Sequence, residues 1–245
     1  MFAIIRHGER ADHAGGEEWA KNEVKFDPHL TPLGALQAQA AGQRVAKIVK
    51  SAIDDGLLAT PKPKILVLSS PFLRCIMTAR NIIKGLQDEY EIVDNAIHVQ
   101  YGLAEYIEAA FDATVLEDLH FAKGDKEKLS KYVDYEVKKG YIDETDFELL
   151  PKYSEDWPGY HKRFLYFVDR FRKLHEEKLE KEGIVTLAVS HGAAIQCSME
   201  IWDTYDAAVG FPYCGINHLH FVKGEEKPKI LLKQDGEHIK GVVLP

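Results

Sequence analysis

The sequence contains few cysteines and no long hydrophobic run. Its longest uninterrupted apolar stretches, residues 1–5 and 164–168, have five residues each, whereas a membrane-spanning helix needs about 20. The 3 cysteines, Cys75, Cys197 and Cys214, are odd in number and far apart, which argues against a disulfide framework and favours a reducing compartment. Because only five residues precede the first charged side chain, we expect no signal peptide, no membrane association and a cytoplasmic location.

Positive charge is not in excess either. The chain has 39 acidic and 31 basic side chains and a formal net charge of −8, so it offers no uniformly cationic surface to nucleic acid or anionic lipid. A site for an anion would therefore be a local cluster of basic residues. A hydrophobic content of 45% over 245 residues is enough for a sizeable core, and without internal repeats we predict one domain over residues 1–245.

Segments typical of strands alternate with segments typical of helices. Strands are predicted at residues 2–6, 65–68, 91–93, 97–99 and 184–190, with a closing hairpin at 215–222 and 229–233. Helices are predicted at residues 32–53, 71–86, 160–183 and 193–202. This alternation predicts an α/β fold of three layers, in which a mostly parallel sheet is flanked by helices.

Residues 114–153 depart from this pattern. Charged side chains dominate there, and residues 123–131 are nearly all polar, with both signs at helical spacing as on a solvated helix face. We predict a helical insertion that forms a cap over the functional site.

Three predicted turns that follow strands carry cationic or ionisable side chains: Arg6 with His7, Arg74, and His191. In open α/β sheets the ligand crevice lies at the carboxyl ends of the strands, so these residues are expected to converge. Two histidines and several arginines in one crevice suit a dianion such as a phosphoryl group, because the guanidinium fork binds two phosphate oxygens at once.

The same residues suggest a reaction. A neutral imidazole at His7 can attack phosphorus, and neighbouring arginines disfavour a second positive charge on the ring. The leaving oxygen then needs a proton, which a carboxyl with a raised pKa could supply. Glu105, shortly after the predicted strand at residues 97–99, is the candidate general acid.

Four short motifs occur in a fixed order along the chain. They are RHGER at residues 6–10, LTxxG at 30–34, SSPxxR at 69–74 and VSHG at 189–192. In this order they resemble the histidine phosphatase superfamily, branch 1, which has the phosphoglycerate-mutase-like fold. RHGER and the extended motif SSPxxRC are most similar to those of the suppressors of T-cell receptor signalling and of insect ecdysteroid-phosphate phosphatase.

This resemblance implies a metal-independent phosphatase without an organic cofactor. It implies His7 as the phosphorylated nucleophile and Glu105 as the proton donor. The residues implied around the phosphate are Arg6, Arg10, Arg74 and His191. The expected partner is a phosphomonoester, either an aryl phosphate, a phosphotyrosine protein or a phosphorylated metabolite, and the sequence leaves open whether the chain forms a homodimer.

The sequence also allows other functions, within this superfamily and outside it. A phosphoglycerate mutase must hold a second anionic group, but residues 105–110 read EYIEAA and contain no basic side chain. In the histidine acid phosphatase branch an acidic residue follows the late histidine, whereas Gly192 follows His191 here. A fructose bisphosphatase and a noncatalytic phosphoprotein-binding module are the remaining alternatives.

Two further sets of residues have a weaker claim to function. His218 and His220 lie two apart on a predicted strand and could join Cys214 as metal ligands. Trp19 and Trp157 could flank a hydrophobic leaving group.

Overall fold

A mixed β-sheet of seven strands forms the centre of the fold. The computed structural model describes residues 1–14, 26–58, 60–87, 89–107, 119, 121, 126–142, 155–202, 205, 210–222, 224–225 and 227–244. Within these residues the strands are β1 (Phe2–Arg6), β2 (Lys64–Ser69), β3 (Ile92–Val99), β4 (Glu136–Lys139), β5 (Ile184–Ser190), β6 (Ile216–His220) and β7 (Lys229–Asp235). Their spatial order is β4-β3-β2-β5-β1-β6-β7.

Parallel pairing predominates. β1 pairs with β5, β5 with β2, β2 with β3 and β3 with β4 in parallel, whereas β6 and β7 add an antiparallel hairpin beside β1. The central strand β5 is buried along its whole length, which suits its nearly continuous apolar sequence. The predicted mostly parallel sheet is therefore confirmed.

Helices cover both faces of the sheet. The helices are α1 (Ala11–Ala14), α2 (Pro32–Asp54), α3 (Leu73–Gly85), α4 (Lys126–Ser130), α5 (Trp157–Leu174) and α6 (Gly192–Ile201), with a π-helical turn at His175–Leu179 and 3-10 turns at Tyr101–Leu103 and Glu237–Ile239. Side chains of α2 and α3 pack in the core on one face, and those of α5 and α6 pack in the core on the other. The three predicted layers are present. Among the described residues, no helix has the length and apolar character needed to cross a bilayer.

Local sequence explains where the long helices begin. Thr31 caps α2, because its Oγ1 accepts a hydrogen bond from the backbone N–H of Gly34 at 2.9 Å. Asp156 caps α5 in the same way through the N–H of Gly159, also at 2.9 Å. In each helix a proline stands in the first turn, where a missing N–H costs nothing.

The structure corrects two sequence predictions. β3 is one strand, not two. Asp94 and Asn95 lie inside it with positive φ angles of 55° and 49°, and the pairing with β2 shifts register there, so the strand is irregular at these residues but continues beyond them. The segment 114–153 is not entirely helical, since Glu136–Lys139 pairs in parallel with β3. Charged side chains are common in short strands at a sheet edge. The polar composition of these residues therefore did not indicate a strand. Residues 114–118, 120, 122–125 and 143–153 of the predicted cap lie outside the described residues.

We expect substitution of Gly42 by alanine to destabilise the fold. A Cβ there would lie 2.2 Å from the carbonyl oxygen of Ile82 and 2.8 Å from the Cα of Gly85, so α2 and α3 would have to separate. Overpacking of this kind costs about 1–3 kcal/mol, which urea unfolding would measure. Gly210→Ala is the control, because a Cβ there meets no described atom within 4 Å; equal stability of the two variants would contradict the prediction.

Candidate active site

The candidate site lies at the carboxyl edge of the sheet, beyond the ends of β1, β2 and β5. His7 directly follows β1, and its backbone N–H donates to the carbonyl of Ser190 at 2.9 Å. His191 directly follows β5, and Arg74 lies in the first turn of α3, after β2. Glu105 follows the 3-10 turn beyond β3 and joins them. The structure thus brings His7, Arg74, Glu105 and His191 together.

The loop that carries His7 is fixed by close backbone packing. A Cβ on Gly8 would lie 2.5 Å from the carbonyl oxygen of Gly34, so the loop can rest on α2 only with glycine at this position. The N–H of Gly8 donates to Oγ1 of Thr78 at 3.0 Å, and that hydroxyl donates to the carbonyl of Arg74 at 2.7 Å. The loop is therefore anchored to both helices of this face.

His7 is buried and its tautomer is fixed by the backbone. Its Nδ1 lies 2.8 Å from the carbonyl oxygen of Gly8, and a carbonyl only accepts hydrogen bonds, so Nδ1 carries the proton. Burial lowers the pKa of His7 well below its usual value, and the charge of Arg74 lowers it further. His7 is consequently neutral, with an unprotonated Nε2. The sequence predicted a neutral ring, but burial is the larger cause.

Arg6 and Arg74 have guanidinium nitrogens without a hydrogen-bond partner among the described residues. Arg74 is only 2% exposed, and its Nη2 lies 3.3 Å from Oε2 of Glu105. Within the described residues, Nε and Nη1 of Arg74 and Nε of Arg6 are buried without a hydrogen-bond partner. Buried donors are normally paired, and guanidinium donors suit an anionic oxygen best. Arg6 itself is held by the carbonyl of Phe211, to which its Nη1 donates.

His191 links Glu105 to Ser70. Its Nδ1 lies 3.1 Å from Oε2 of Glu105, and its Nε2 lies 2.7 Å from Oγ of Ser70. The same Nδ1 lies 3.1 Å from Nη2 of Arg74. A carboxylate only accepts and a guanidinium only donates, so Glu105 and Arg74 favour opposite tautomers of this ring. Burial lowers the pKa of His191 to about 4, against the opposing effect of the Glu105 charge. The ring is therefore neutral near pH 7.

The pKa of Glu105 differs from the sequence expectation. Burial by itself raises this pKa, as predicted, but the contact with His191 and the charge of Arg74 outweigh burial and lower it to about 2. The expectation of a raised pKa is thus wrong for the unliganded site, because the side chain has cationic and hydrogen-bonding partners that the sequence did not reveal. Glu105 is ionised here, and its Oε1 also accepts from the N–H of Tyr106 at 3.1 Å.

Arg10 is engaged elsewhere. Its Nε donates to Oδ1 of Asp12 at 2.7 Å, and its Nη2 pairs with the other carboxylate oxygen. Its charge nonetheless contributes to the lowered pKa of His191. The structure therefore places Arg10 at the rim of the site, in an ion pair that a bound anion would have to displace or share.

Sequence reasoning missed several neighbours of the site. Tyr213 lies under Arg6, with its ring centroid 4.4 Å from Cζ, and 5.9 Å from the ring of His7. Its hydroxyl lies 2.8 Å from Nδ1 of His13. Ser70 stands inside the SSPxxR motif and could have been found there. Tyr213 belongs to no motif, so only its spatial position identifies it.

The positions of histidine, cysteine and carboxylate side chains show which residues could share a metal ion. His7, Glu105 and His191 offer ligand atoms within 4.8 Å of one another, and this is the one such set among the described residues. Cys214, His218 and His220 do not form one there. Arg74 places a fixed positive charge beside the first set, which favours an anion over a cation.

The two tryptophans also differ. Trp157 is half-buried and donates from Nε1 to Oε2 of Glu200 at 3.0 Å. It lies edge-on to Tyr106, the neighbour of Glu105, with ring centroids 5.2 Å apart. Trp19 lies outside the described residues. Contact of either with substrate stays a prediction.

Comparison with known proteins places this site in a family. The family model for the histidine phosphatase superfamily (branch 1) matches residues 2–233. Ubiquitin-associated and SH3 domain-containing protein A of Mus musculus is 26% identical over 131 residues, which cover 42% of this chain and 19% of the mouse protein. This chain therefore matches less than a fifth of the length of that relative.

Solved structures share the fold. The ecdysone phosphate phosphatase from Bombix mori has a TM-score of 0.54 and 19% identity, and the match covers 94% of this chain and 91% of that one. The phosphoglycerate mutase from Bacillus anthracis has a TM-score of 0.57 and 18% identity, covering 98% and 94%. The predicted fold is confirmed, and so is the predicted likeness to the group of the T-cell suppressors and ecdysteroid-phosphate phosphatase.

The lowered histidine pKa values predict acid sensitivity of the fold. Burial lowers the pKa of His191 to about 4, whereas in the unfolded chain histidine titrates near about 6.5. The unfolded chain binds more protons between these values, so the stabilisation is complete above the upper value and is lost as pH falls toward the lower one.

We therefore expect His191→Asn to reduce the loss of unfolding free energy between about pH 7.5 and about pH 5 by about 2 kcal/mol. Urea unfolding at both pH values would measure this difference. His29→Asn, at a half-buried histidine outside the site, is the control. An unchanged pH dependence in His191→Asn would contradict the lowered pKa.

Proposed function

Since this chain belongs to the histidine phosphatase superfamily, branch 1, we propose that it hydrolyses phosphomonoesters through a phosphohistidine at His7, with Glu105 as proton donor and without a metal ion. One observation carries the proposal: a buried, neutral histidine with an unprotonated Nε2 lies beside Nε and Nη1 of Arg74 and Nε of Arg6, which have no hydrogen-bond partner within the described residues. Such a pocket is complementary to a phosphoryl dianion and holds a nucleophile in its reactive form.

The first step transfers the phosphoryl group to the enzyme. Arg6, Arg74 and His191 hold the nonbridging oxygens while Nε2 of His7 attacks phosphorus in line with the leaving oxygen. The new N–P bond forms as the P–O bond breaks, and the electron pair of that bond goes to the leaving oxygen. The carboxyl of Glu105 protonates this oxygen, so the alcohol or phenol departs neutral.

Substrate binding would itself prepare Glu105 for this role. A phosphoryl dianion competes with the carboxylate for Arg74 and His191, which are the partners that lower the pKa of Glu105. Without them burial dominates and raises the pKa, so the carboxyl takes up a proton when the pocket is filled. The low pKa of the empty site and a protonated acid in the loaded site are therefore compatible.

The second step regenerates the enzyme. A water molecule attacks phosphorus while the ionised Glu105 accepts its proton, and the N–P bond breaks with its electron pair returning to Nε2 of His7. Inorganic phosphate is released. The substrate, whether an aryl phosphate, a phosphotyrosine protein or a phosphorylated metabolite, is part of the proposal, and the cytoplasmic location and a homodimer stay predictions.

His7→Ala tests the nucleophile. We expect hydrolysis of para-nitrophenyl phosphate between about pH 5 and pH 8 to persist in EDTA and to fall by about 10,000-fold or more in the variant. His175→Ala is a matched control, because that buried histidine lies beside Met1, before β1 and away from the carboxyl edge. Activity retained by His7→Ala, or lost in EDTA, would contradict the mechanism.

Wild-type protein without this activity would point to one of the alternatives. Phosphate exchange on 3-phosphoglycerate would then favour a mutase, and release of phosphate from fructose bisphosphate would favour a bisphosphatase. Phosphopeptide binding without turnover would favour a binding module.

Glu105→Gln tests the general acid. The amide cannot donate an acidic proton, so we expect kcat/KM to fall by about 100-fold for an alkyl phosphate. The loss should be only a few-fold for para-nitrophenyl phosphate, whose acidic phenol leaves with little assistance. Glu91→Gln, at an exposed glutamate paired with Lys64, should leave both rates unchanged. Equal losses on both substrates would exclude this role for Glu105.

A further inference from the structure

The backbone that carries Glu105 is held by side chains at every carbonyl. Residues 101–105 contain a single 3-10 turn at the end of β3, and so they lack the repeated hydrogen bonds of a helix or strand. The carbonyl of Leu103 accepts from Oγ of Ser190 at 2.8 Å. The other four carbonyls, of residues 101, 102, 104 and 105, all accept from Arg163 of α5.

Arg163 reaches these carbonyls with both ends of its guanidinium fork. Its Nη1 lies 3.2 Å from the carbonyl oxygens of Gly102 and Ala104 and 3.4 Å from that of Tyr101. Its Nη2 lies 3.1 Å from the carbonyl oxygen of Glu105 itself. The side chain is only 1% exposed, so water does not substitute for these contacts.

Glu155 neutralises and orients Arg163. Its Oε2 accepts from Nε of Arg163 at 3.0 Å, and its Oε1 pairs with Nη2. Glu155 precedes α5, and Arg163 lies two turns into that helix, so the pair ties the start of α5 to the turn that carries Glu105. Placing a charged pair in the interior is costly, and breaking one partner away is strongly destabilising. Four carbonyls and a carboxylate together satisfy the guanidinium.

The carboxyl of Glu105 depends on this placement. Its Oε2 lies 3.1 Å from Nδ1 of His191 and 3.3 Å from Nη2 of Arg74, and both distances change if the backbone shifts. Proton transfer to a leaving oxygen requires the same positional accuracy, and a displacement of about 1 Å can cost about 100-fold in rate.

We propose that Arg163, oriented by Glu155, is a positioning residue that fixes the backbone of residues 101–105 and thereby places the carboxyl of Glu105 at the leaving oxygen. This inference rests on the proposed function and goes beyond it by assigning a role to two residues that no motif marks. Arg163 does not touch the substrate, and its effect is transmitted through the carbonyls it binds.

The test is the dependence of rate on the leaving group in Arg163→Lys and Glu155→Gln. A lysine ammonium keeps the charge but has one nitrogen, which cannot reach both carboxylate oxygens and all four carbonyls. We expect kcat/KM to fall by about tenfold to 100-fold for an alkyl phosphate and by less than about threefold for para-nitrophenyl phosphate. Glu155→Gln keeps the shape of its side chain and should show the same pattern, more weakly.

Phe167→Leu is the matched control for a merely structural effect. Phe167 lies one turn after Arg163 on α5, is buried, and contacts other aromatic rings of the core. It should lower the melting temperature without changing the ratio of the two rates. If both Arg163→Lys and Glu155→Gln fold and keep the wild-type ratio, the positioning role is overturned.

Failure of this inference is distinguishable from failure of the proposed function. Wild-type turnover that survives in His7→Ala would overturn the proposed function itself. Turnover that depends on His7, together with a wild-type leaving-group ratio in the Arg163 and Glu155 variants, would overturn only the role of Arg163. A changed ratio in Phe167→Leu equal to that in Arg163→Lys would assign the effect to general loss of stability.

Discussion

Parallel pairing of three central strands is the constraint on which the site depends. β1 and β5 are in register from Phe2 opposite Thr186 to Arg6 opposite Ser190, and β5 and β2 continue that register to Ser69 opposite Val189. All three strands therefore end at the same edge, and the next residue of each chain segment enters the same crevice. His7, Ser70 and His191 are neighbours because of this register, although up to 184 positions separate them in the sequence.

Burial then determines the electrostatics of the crevice. An acidic protein with a net charge of −8 contains a pocket in which two arginines meet two histidines that burial keeps neutral. Glu105 balances part of the positive charge while the pocket is empty. In the proposed mechanism a dianion replaces that carboxylate as the partner of Arg74, which couples binding of phosphate to protonation of Glu105. The same contacts thus serve the resting state and the proposed reaction.

The sequence predicted most of the sheet, the helices and the strand-end residues of the site. The strands and helices have clear hydrophobic periodicity, and the turns after the strands carry recognisable motifs. The alternating pattern gave the three layers, and His7, Arg74 and His191 could be placed at strand ends from their positions alone. β4 could not be found, because its pairing with β3 depends on tertiary contact while its composition is that of a polar loop. The pKa of Glu105 and the ion pair of Arg10 depend on distances between side chains, which a sequence does not contain. Arg163 was missed for the same reason. Its position on α5 is typical of a core residue, and its hydrogen-bond acceptors include backbone carbonyls, which the sequence does not distinguish.

Chemical trapping of the covalent intermediate tests the central claim most directly. A brief reaction with a phosphomonoester, quenched in alkali where phosphohistidine survives, can be followed by proteolysis and mass spectrometry of the peptide that contains His7. The account predicts phosphate on Nε2 of His7, in an amount that increases in Glu105→Gln because the second step also uses that carboxylate. Phosphate on another residue, or turnover that passes through no phosphorylated enzyme and inverts configuration at phosphorus, would contradict it.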